Sequence, residues 1–480
     1  MECLADFPAW RIALEEPHEL CQDLRQEGSL LCGSLCAGCT NSIQAGDWTT
    51  VEALGRELEE VAWEGLHSSP AWRDVTVTTR RVYAYSQFIL AAVQAVKFQQ
   101  EEDTDTNTST QKRSSVVSTR LKECIRRIDM ALLMGPPSIK GVANGLIEWA
   151  EQRLRPCKPE AAQFLSSRPR ELRVKRPRPV EGLVGDIPRL ACPSLDAFLE
   201  KHMVPQVPVI LTQCMEHWPA LRRWRDMDYL KEVAGERVVP VEVGSGTYMA
   251  GEGEGLEEEG AWGQELMPLG DFIDRYMTGA ESGPESREGD ASSAGPGGQT
   301  WADGGEVEAG RRETGCRAYL AQHELFEQIP ALQKDVWVPD YCALEVEGGE
   351  EALEEDGLVV TNAWFGPGGT VSPTHTDPYH NLLAQVVGSK AVRLFAPSES
   401  PCLYPCQGLL RNNSRVDPLR PDLARFPLFA RANSQTCVLE EGEMLYIPPL
   451  WWHHIQALSP SFSVSFWWGR RREGADPAPG

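Results

Sequence analysis

Long apolar runs are missing from this sequence. No stretch reaches the roughly 18 consecutive apolar residues of a membrane-spanning helix, so no transmembrane segment and no membrane partner are expected. Positive charge is also scarce: 46 Lys and Arg stand against 70 Asp and Glu, a net charge of −24. Nucleic-acid affinity comes from clustered positive charge, so direct nucleic-acid binding is not expected. A basic protein substrate, in contrast, suits an acidic surface. The opening Met-Glu-Cys-Leu-Ala-Asp lacks the basic start and apolar stretch of a secretory signal. The expected location is therefore the nucleus, with the cytoplasm as a second compartment. Cysteine is too thin for a disulfide scaffold, at 14 in 480 residues, and a reducing compartment keeps thiols reduced. No H-E-x-x-H occurs, which removes the helical zinc-protease class.

What is present falls into segments, and together they predict an α+β protein. Residues 1–165 read as a helical domain. Val82 to Lys97 has the spacing of an amphipathic helix, with Phe88, Ala91, Ala92 and Ala95 on one face. Leu121, Ile125, Ile128 and Leu132 repeat the pattern, as do Val142, Leu146, Trp149 and Leu154. The polar tract Thr104 to Ser115 reads as a loop between the first two. No chemistry is evident here, and partner docking or stabilisation is the expected role. Cys21, Cys32, Cys36 and Cys39 leave two readings open: thiolates converging on zinc, or buried thiols. Residues 166–189 read as a basic Pro-rich linker. Arg168, Arg170, Arg173, Lys175, Arg176 and Arg178 alternate with prolines, as a nuclear import signal or a solvated spacer would. From 190 to 470 the texture becomes short apolar runs broken by Gly and Pro, the pattern of a β-sandwich or barrel. Gly251 to Gly260 and Gly279 to Gly315 have almost nothing apolar to bury and read as disordered insertions. Glu347 to Gly357 reads as an acidic loop and 471–480 as a disordered tail.

The chemistry lies in Ser372-Pro373-Thr374-His375-Thr376-Asp377-Pro378. On a strand, residues i and i+2 face the same way, so His375 and Asp377 can grip one ion. A third ligand is offered in Gly442-Glu443-Met444-Leu445-Tyr446-Ile447-Pro448-Pro449-Leu450-Trp451-Trp452-His453-His454. Two His and one carboxylate on one face of an octahedron leave positions open, the arrangement of non-haem Fe(II) oxygenases. An H-x-D alone is a weak signal. Its company is stronger: a Gly-rich lead-in at Gly366-Pro367-Gly368-Gly369 and the distal block, in that order.

With these motifs the segment from about Leu190 to Trp468 resembles the Jumonji-C oxygenases. The resemblance runs through Pro205 to Pro219, Val239 to Ser245, Tyr319 to His323, Asn362 to Pro367 and Ser461 to Trp468. It implies a double-stranded β-helix (a cupin-like jelly roll) that uses Fe(II), 2-oxoglutarate and O2. It implies metal ligation by His375, Asp377 and His453. Adjacent strand residues face opposite ways, so only one of His453 and His454 can reach the metal; alignment through Trp452 favours His453. His380 is expected to be structural. Lys390 matches the cation that holds 2-oxoglutarate, with Tyr319, Ser372 and Asn381 around the same carboxylate. Glu242, Trp364 and Trp467 match substrate-pocket positions, against the alternative that the tryptophans are core. A carboxylate with aromatic faces suits a guanidinium or a methylated ammonium. The implied reaction is arginyl C3 hydroxylation of a protein, with histone lysine demethylation as the alternative. A catalytically weak jelly-roll scaffold is the reading from another class. The partner is a histone, ribosomal or chromatin-associated protein, and the implied setting is transcription and the cell cycle.

Overall fold

The computed structural model describes residues 29–68, 74–104, 110–154, 187–244, 263–277, 317–346, 350–351 and 359–471, with positions 10, 20, 23, 24 and 172. Among these residues no helix is long and apolar enough to cross a membrane. The readings made for Cys21, for the basic residues from Arg168 to Arg178 and for both Gly-rich insertions fall outside them; within the basic segment Leu172 alone is described, its N–H donating to Arg225 O at 3.0 Å.

The N-terminal part is helical: α1 (Leu30–Ala45), α2 (Trp48–His67), α3 (Val77–Thr104), α4 (Thr110–Met134) and α5 (Lys140–Leu154). Gly46 closes α1 at φ 75° and returns its N–H to Ile43 O, while Asp47 caps α2 by accepting the Thr50 N–H. These two caps make the sharp reversal between antiparallel neighbours. α3 departs from the amphipathic expectation. From Val82 to Val93 every residue is buried, Ser86 and Gln87 included. The reason is position: α3 lies between α2 and α4, so both of its flanks are covered. Of the Thr104 to Ser115 stretch read as a loop, Thr104 belongs to α3 and Thr110 already begins α4, while 105–109 lie outside the described residues. Cys32, Cys36 and Cys39 are buried on α1 within the apolar core of the bundle. Among the described residues they belong to no group able to hold a metal.

The C-terminal part is two β-sheets. The larger runs β1 (Arg189–Ala191), β2 (Val209–Thr212), β12 (Met444–Ile447), β9 (Tyr379–Val387), β14 (Ser461–Arg471), β7 (Val360–Gly366), β5 (Arg317–His323), β3 (Val238–Gly244) and β4 (Gly263–Pro268). The short β6 (Glu350–Glu351) pairs with β14. The smaller sheet runs β11 (Gln435–Leu439), β10 (Lys390–Phe395), β13 (Trp452–Ala457) and β8 (Val371–His375). An α+β protein results, with helices first and a cupin-like jelly roll after. Period-2 alternation sorts the side chains. On β9, Leu382, Ala384 and Val386 face a core shared with Phe198, Trp218, Trp224, Phe272 and Phe326. Leu383 faces the other sheet and packs with Val392, Leu394, Leu439, Leu445 and Ile447. β14 sorts differently: Phe462, Val464, Phe466 and Trp468 join the first core. Ser461, Ser463 and Ser465 occupy its opposite face and are fully buried. A polar stripe therefore enters the space between the sheets.

Three boundaries shift. Ile187 is buried and Arg189 already pairs with Ile210, so the sheet begins inside the stretch read as linker. Residues 350–351 form a strand within the expected acidic loop. Arg471, placed in the tail from sequence, is the last residue of β14 and pairs with Glu350, because the ladder satisfies backbone groups that a tail would leave to solvent.

The turn from β9 to β10 needs glycine. Gly388 has φ 78°, and a Cβ there would lie 2.2 Å from Pro460 O. Gly388→Ala is expected to cost about 2–3 kcal/mol, read as a lower unfolding midpoint in urea, because both the left-handed backbone and the backbone contact oppose it.

Candidate metal and co-substrate site

The structure brings His375, Asp377 and His453 together, with one ligand atom from each within 4.8 Å of the others. The Asp377 carboxylate Oδ2 lies 3.8 Å from His375 Nε2 and 3.5 Å from His453 Nε2. The second nitrogen of each ring is held by backbone: His375 Nδ1 by Pro373 O at 2.7 Å, and His453 Nδ1 by Trp451 O at 3.0 Å. Carbonyl partners put the proton on Nδ1 and leave both Nε2 lone pairs aimed inward, as metal-ligating histidines require. Burial, followed by the neighbouring His375, pushes the His453 imidazole down to about 4, so it is neutral and able to ligate.

How the chain places these groups differs from the sequence reading. His375 is the last residue of β8, and Asp377 lies beyond it in the connection to β9, not on a strand. The i, i+2 rule therefore does not set their geometry. The loop is pinned by other elements: Thr376 N–H donates to Asn412 O at 2.9 Å, and Leu450 N–H donates to Asp377 O at 2.7 Å. Leu450 adopts φ 64° to make that bond. A bulge completes the aim. Ser372 opposes Ile455 and His375 opposes His453, so three steps on β8 match two on β13. Both Ser372 and His375 thereby face inward, a use of bulges frequent beside active sites. Nothing local in the sequence announces Asn412 or Leu450 as holders of the loop.

The two adjacent histidines separate by strand alternation. His453 pairs with Leu394, which faces between the sheets, while His454 pairs with Arg393 on the outer face. His380 points into the other core: its Nδ1 lies 2.7 Å from the Tyr446 hydroxyl and its ring stacks on Trp468.

Lys390, 2% exposed, lies in the same sheet as His375 and His453, at the start of β10 and on the face that Val392 and Leu394 turn inward. Its Nζ donates to the Tyr319 hydroxyl at 3.3 Å, and among the described residues it forms no ion pair. Burial pulls its pKa from 10.5 to about 7. Asn381 Oδ1, Thr374 Oγ1 and Trp467 Nε1 are buried without a hydrogen-bond partner. Buried polar groups are normally satisfied, and each orphan costs free energy. A buried cation and an unsatisfied hydroxyl that can donate fit a small anion such as a carboxylate, whereas Asn381 Oδ1 is an acceptor, so the amide could serve the anion only through its Nδ2. Ser372 is buried on the inward face of β8. The residues present thus fit the metal and the dicarboxylate that the family resemblance implies.

The remaining wall is aromatic and acidic. Trp364 Nε1 donates to Ser465 Oγ at 2.8 Å, and the Trp364 ring lies 6.1 Å from that of Tyr319. Trp364 is also packed against the inter-sheet core, so it shares in both the wall and the core. Trp467 stacks on Tyr379 at 5.4 Å and 12°. Tyr379 was not singled out from sequence, although an aromatic two residues after Asp377 was available as a signal. Glu242, opposite Tyr319 in the sheet, accepts a hydrogen bond from Gln264 Nε2 at 3.1 Å; burial raises its pKa.

Residues 195–473 match the cupin-like domain family. The chain is 37% identical over 415 residues to lysine-specific demethylase 8 of Danio rerio, covering 85% of each chain. It is 40% identical over 284 residues to Jumonji C domain-containing protein 5 of Drosophila melanogaster, covering 59% of this chain and 60% of that one. The chain belongs to the Jumonji-C family. A more distant Jumonji-C relative is the bifunctional peptidase and (3S)-lysyl hydroxylase JMJD7 of Homo sapiens, 28% identical over 311 residues, or 58% of this chain and 84% of that one. The match to the Danio rerio protein is longer than the cupin-like segment, so it reaches into the N-terminal residues. As a Jumonji-C protein the chain is an enzyme of the 2-oxoglutarate-dependent protein oxygenase class.

Proposed function

We propose that this enzyme uses Fe(II), 2-oxoglutarate and O2 to hydroxylate an arginine side chain of a protein at C3. The observation that carries the reading is the pairing of two features: three ligand atoms converging from His375, Asp377 and His453, and a buried cation, Lys390, four residues before the partner of His453 on the neighbouring strand and without an ion pair among the described residues. When bound, iron with 2-oxoglutarate supplies O2 activation, with succinate and CO2 as by-products. The chain's own residues do the rest. His375, Asp377 and His453 would hold the metal on one face. Lys390 would take the far carboxylate of 2-oxoglutarate, and Tyr319, Asn381 and Ser372 would orient it. Burial of Lys390 strengthens its attraction to an anion by excluding water.

Arginine is favoured by the wall chemistry. Glu242 is half-buried and among the described residues has no cationic partner. Trp364 and the stacked Tyr379–Trp467 pair add flat aromatic faces. A planar guanidinium satisfies both at once, by pairing with the carboxylate and stacking on the rings. Lysine demethylation is the second reading, supported by the name of the Danio rerio relative. Nuclear import through the basic segment, and a histone, ribosomal or chromatin-associated substrate, belong to the same proposal.

The test couples two readouts in one tube: succinate release, and the intact mass of arginine-bearing and methyl-lysine peptides, with Fe(II), 2-oxoglutarate and O2 present. A one-oxygen gain on arginine with stoichiometric succinate is expected. Loss of a methyl group without a stable oxygen adduct would replace hydroxylation by demethylation. No succinate with any peptide would favour a jelly-roll scaffold.

A further inference from the structure

The helical part and the large sheet meet at a buried charge. Asp129, on α4, is fully buried, and so nearly are Arg237 and Gln328. The Asp129 carboxylate accepts from Arg237 Nε at 3.1 Å, Arg237 Nη2 at 2.8 Å, the Val238 backbone N–H at 2.9 Å and Gln328 Nε2 at 2.9 Å. Arg237 Nη2 also donates to Gln328 O at 2.7 Å. The Gln328 amide has two further bonds. Its Nε2 donates to Val238 O at 2.7 Å, and its Oε1 lies 2.6 Å from His323 Nε2.

Val238 opens β3 and His323 ends β5. These strands pair at Gly244 with Arg317, Val243 with Ala318 and Glu242 with Tyr319, and there the ladder stops. Continued in register, it would set Val238 opposite His323. The Gln328 side chain occupies that gap instead, bonded to both sides in place of the missing ladder. β5 bends at the same level: its register against β7 shifts between Leu320 and His323, where Gln322 has φ 47°. The last pair before the strands part is Glu242 and Tyr319, the acidic wall residue and the Lys390 partner.

We infer that Asp129 is a positioning residue for the active-site wall. It holds the Gln328 wedge and the first N–H of β3, and so sets where β3 and β5 separate and where Glu242 stands. It acts through those groups and touches neither co-substrate nor substrate. The helical part is thereby a component of the site, not an appendage to it. A carboxylate suits the task because Arg237 must be satisfied where it is buried: the more exposed Glu151 Oε1 lies 4.0 Å from Arg237 Nη1, so removing Asp129 leaves that charge with only this longer contact. That Glu242 contacts substrate rests on the function proposed above; the placement of the strands does not.

The test uses the full chain with two substitutions, Asp129→Asn and Gln328→Met, well below their unfolding midpoints. Amide hydrogen exchange is read by mass spectrometry over Val238–Glu242 and Arg317–His323, and over β10 and β13 as internal reference. Both variants are expected to speed exchange in β3 and β5 at least severalfold, while β10 and β13 keep wild-type rates. The Michaelis constant for an arginine peptide is expected to rise roughly 2- to 30-fold with kcat and metal affinity retained, the size of a modest coupling. Uniformly faster exchange across both sheets would reduce Asp129 to a general stabilising role and overturn the inference, as would unchanged exchange in β3 and β5. Should the wild type turn over no peptide, the functional proposal fails, and the exchange rates alone still decide this one.

Discussion

Asp377→Ala is expected to abolish turnover and to weaken metal binding by at least about 100-fold, because losing a ligand exceeds the 10- to 100-fold cost of losing a second-layer partner. The carboxylate oxygen lies against both Nε2 atoms, and without it only the two imidazoles remain. The measurement is calorimetric titration with Mn(II) under argon, alongside succinate release with Fe(II). The matched control is His454→Gln. His454 faces away from the triad and pairs with Arg393, so metal affinity should change by less than about threefold, within the ordinary scatter of remote substitutions. Equal losses in both variants would refute the assignment of inward and outward faces on β13.

Lys390→Met should give the second large effect, and its sign reverses between activity and stability. The Michaelis constant for 2-oxoglutarate is expected to rise by about 100-fold, near 3 kcal/mol, as for truncation of one partner of a buried charge pair. On the proposed binding mode, taking up the dianion requires the protonated amine. With Lys390 depressed to about 7, affinity should be level below that pH and fall about tenfold per unit above it. The Met variant should lose this slope. Stability runs the other way. Between about 7 and 10.5 the unfolded chain holds a proton that the native lysine has released, so wild-type stability rises with pH across that window. Lys390→Met should lack that rise and be the more stable protein at neutral pH without 2-oxoglutarate. Urea unfolding at several pH values checks this. A variant less stable than wild type at neutral pH would show that the cation has a counter-charge.

The grouping of His375, Asp377 and His453 was legible through a motif and Lys390 was singled out through the family resemblance, while the alternation of the strands is present in the sequence as a period of two. β14 is the clearest instance, with Phe, Val and Phe interleaved with Ser. Asp377 was found by motif but for the wrong geometric reason, since its placement depends on Asn412 and Leu450 from other loops. The covering of α3 was hidden because burial on two sides follows from neighbours, not from the helix's own pattern. Trp364 was read as pocket or core and proves to be tied to Ser465 on the adjacent strand. Asp129 and Gln328, 199 residues apart, carry no local signal at all: a buried polar pair becomes visible only when the two segments meet.

The alternation on β14 also constrains how this gene can change length. The strand's two faces accept different company, one aromatic and aliphatic, the other hydroxylic. Deleting one residue between Ser461 and Trp467 would turn the phenylalanines into the space between the sheets and the serines into the apolar core, since side chains alternate with a period of two. Deleting two would preserve the faces and only shorten the strand. Single-codon losses in this stretch should therefore be purged more strictly than double ones, a parity rule imposed by the pleat of a single strand.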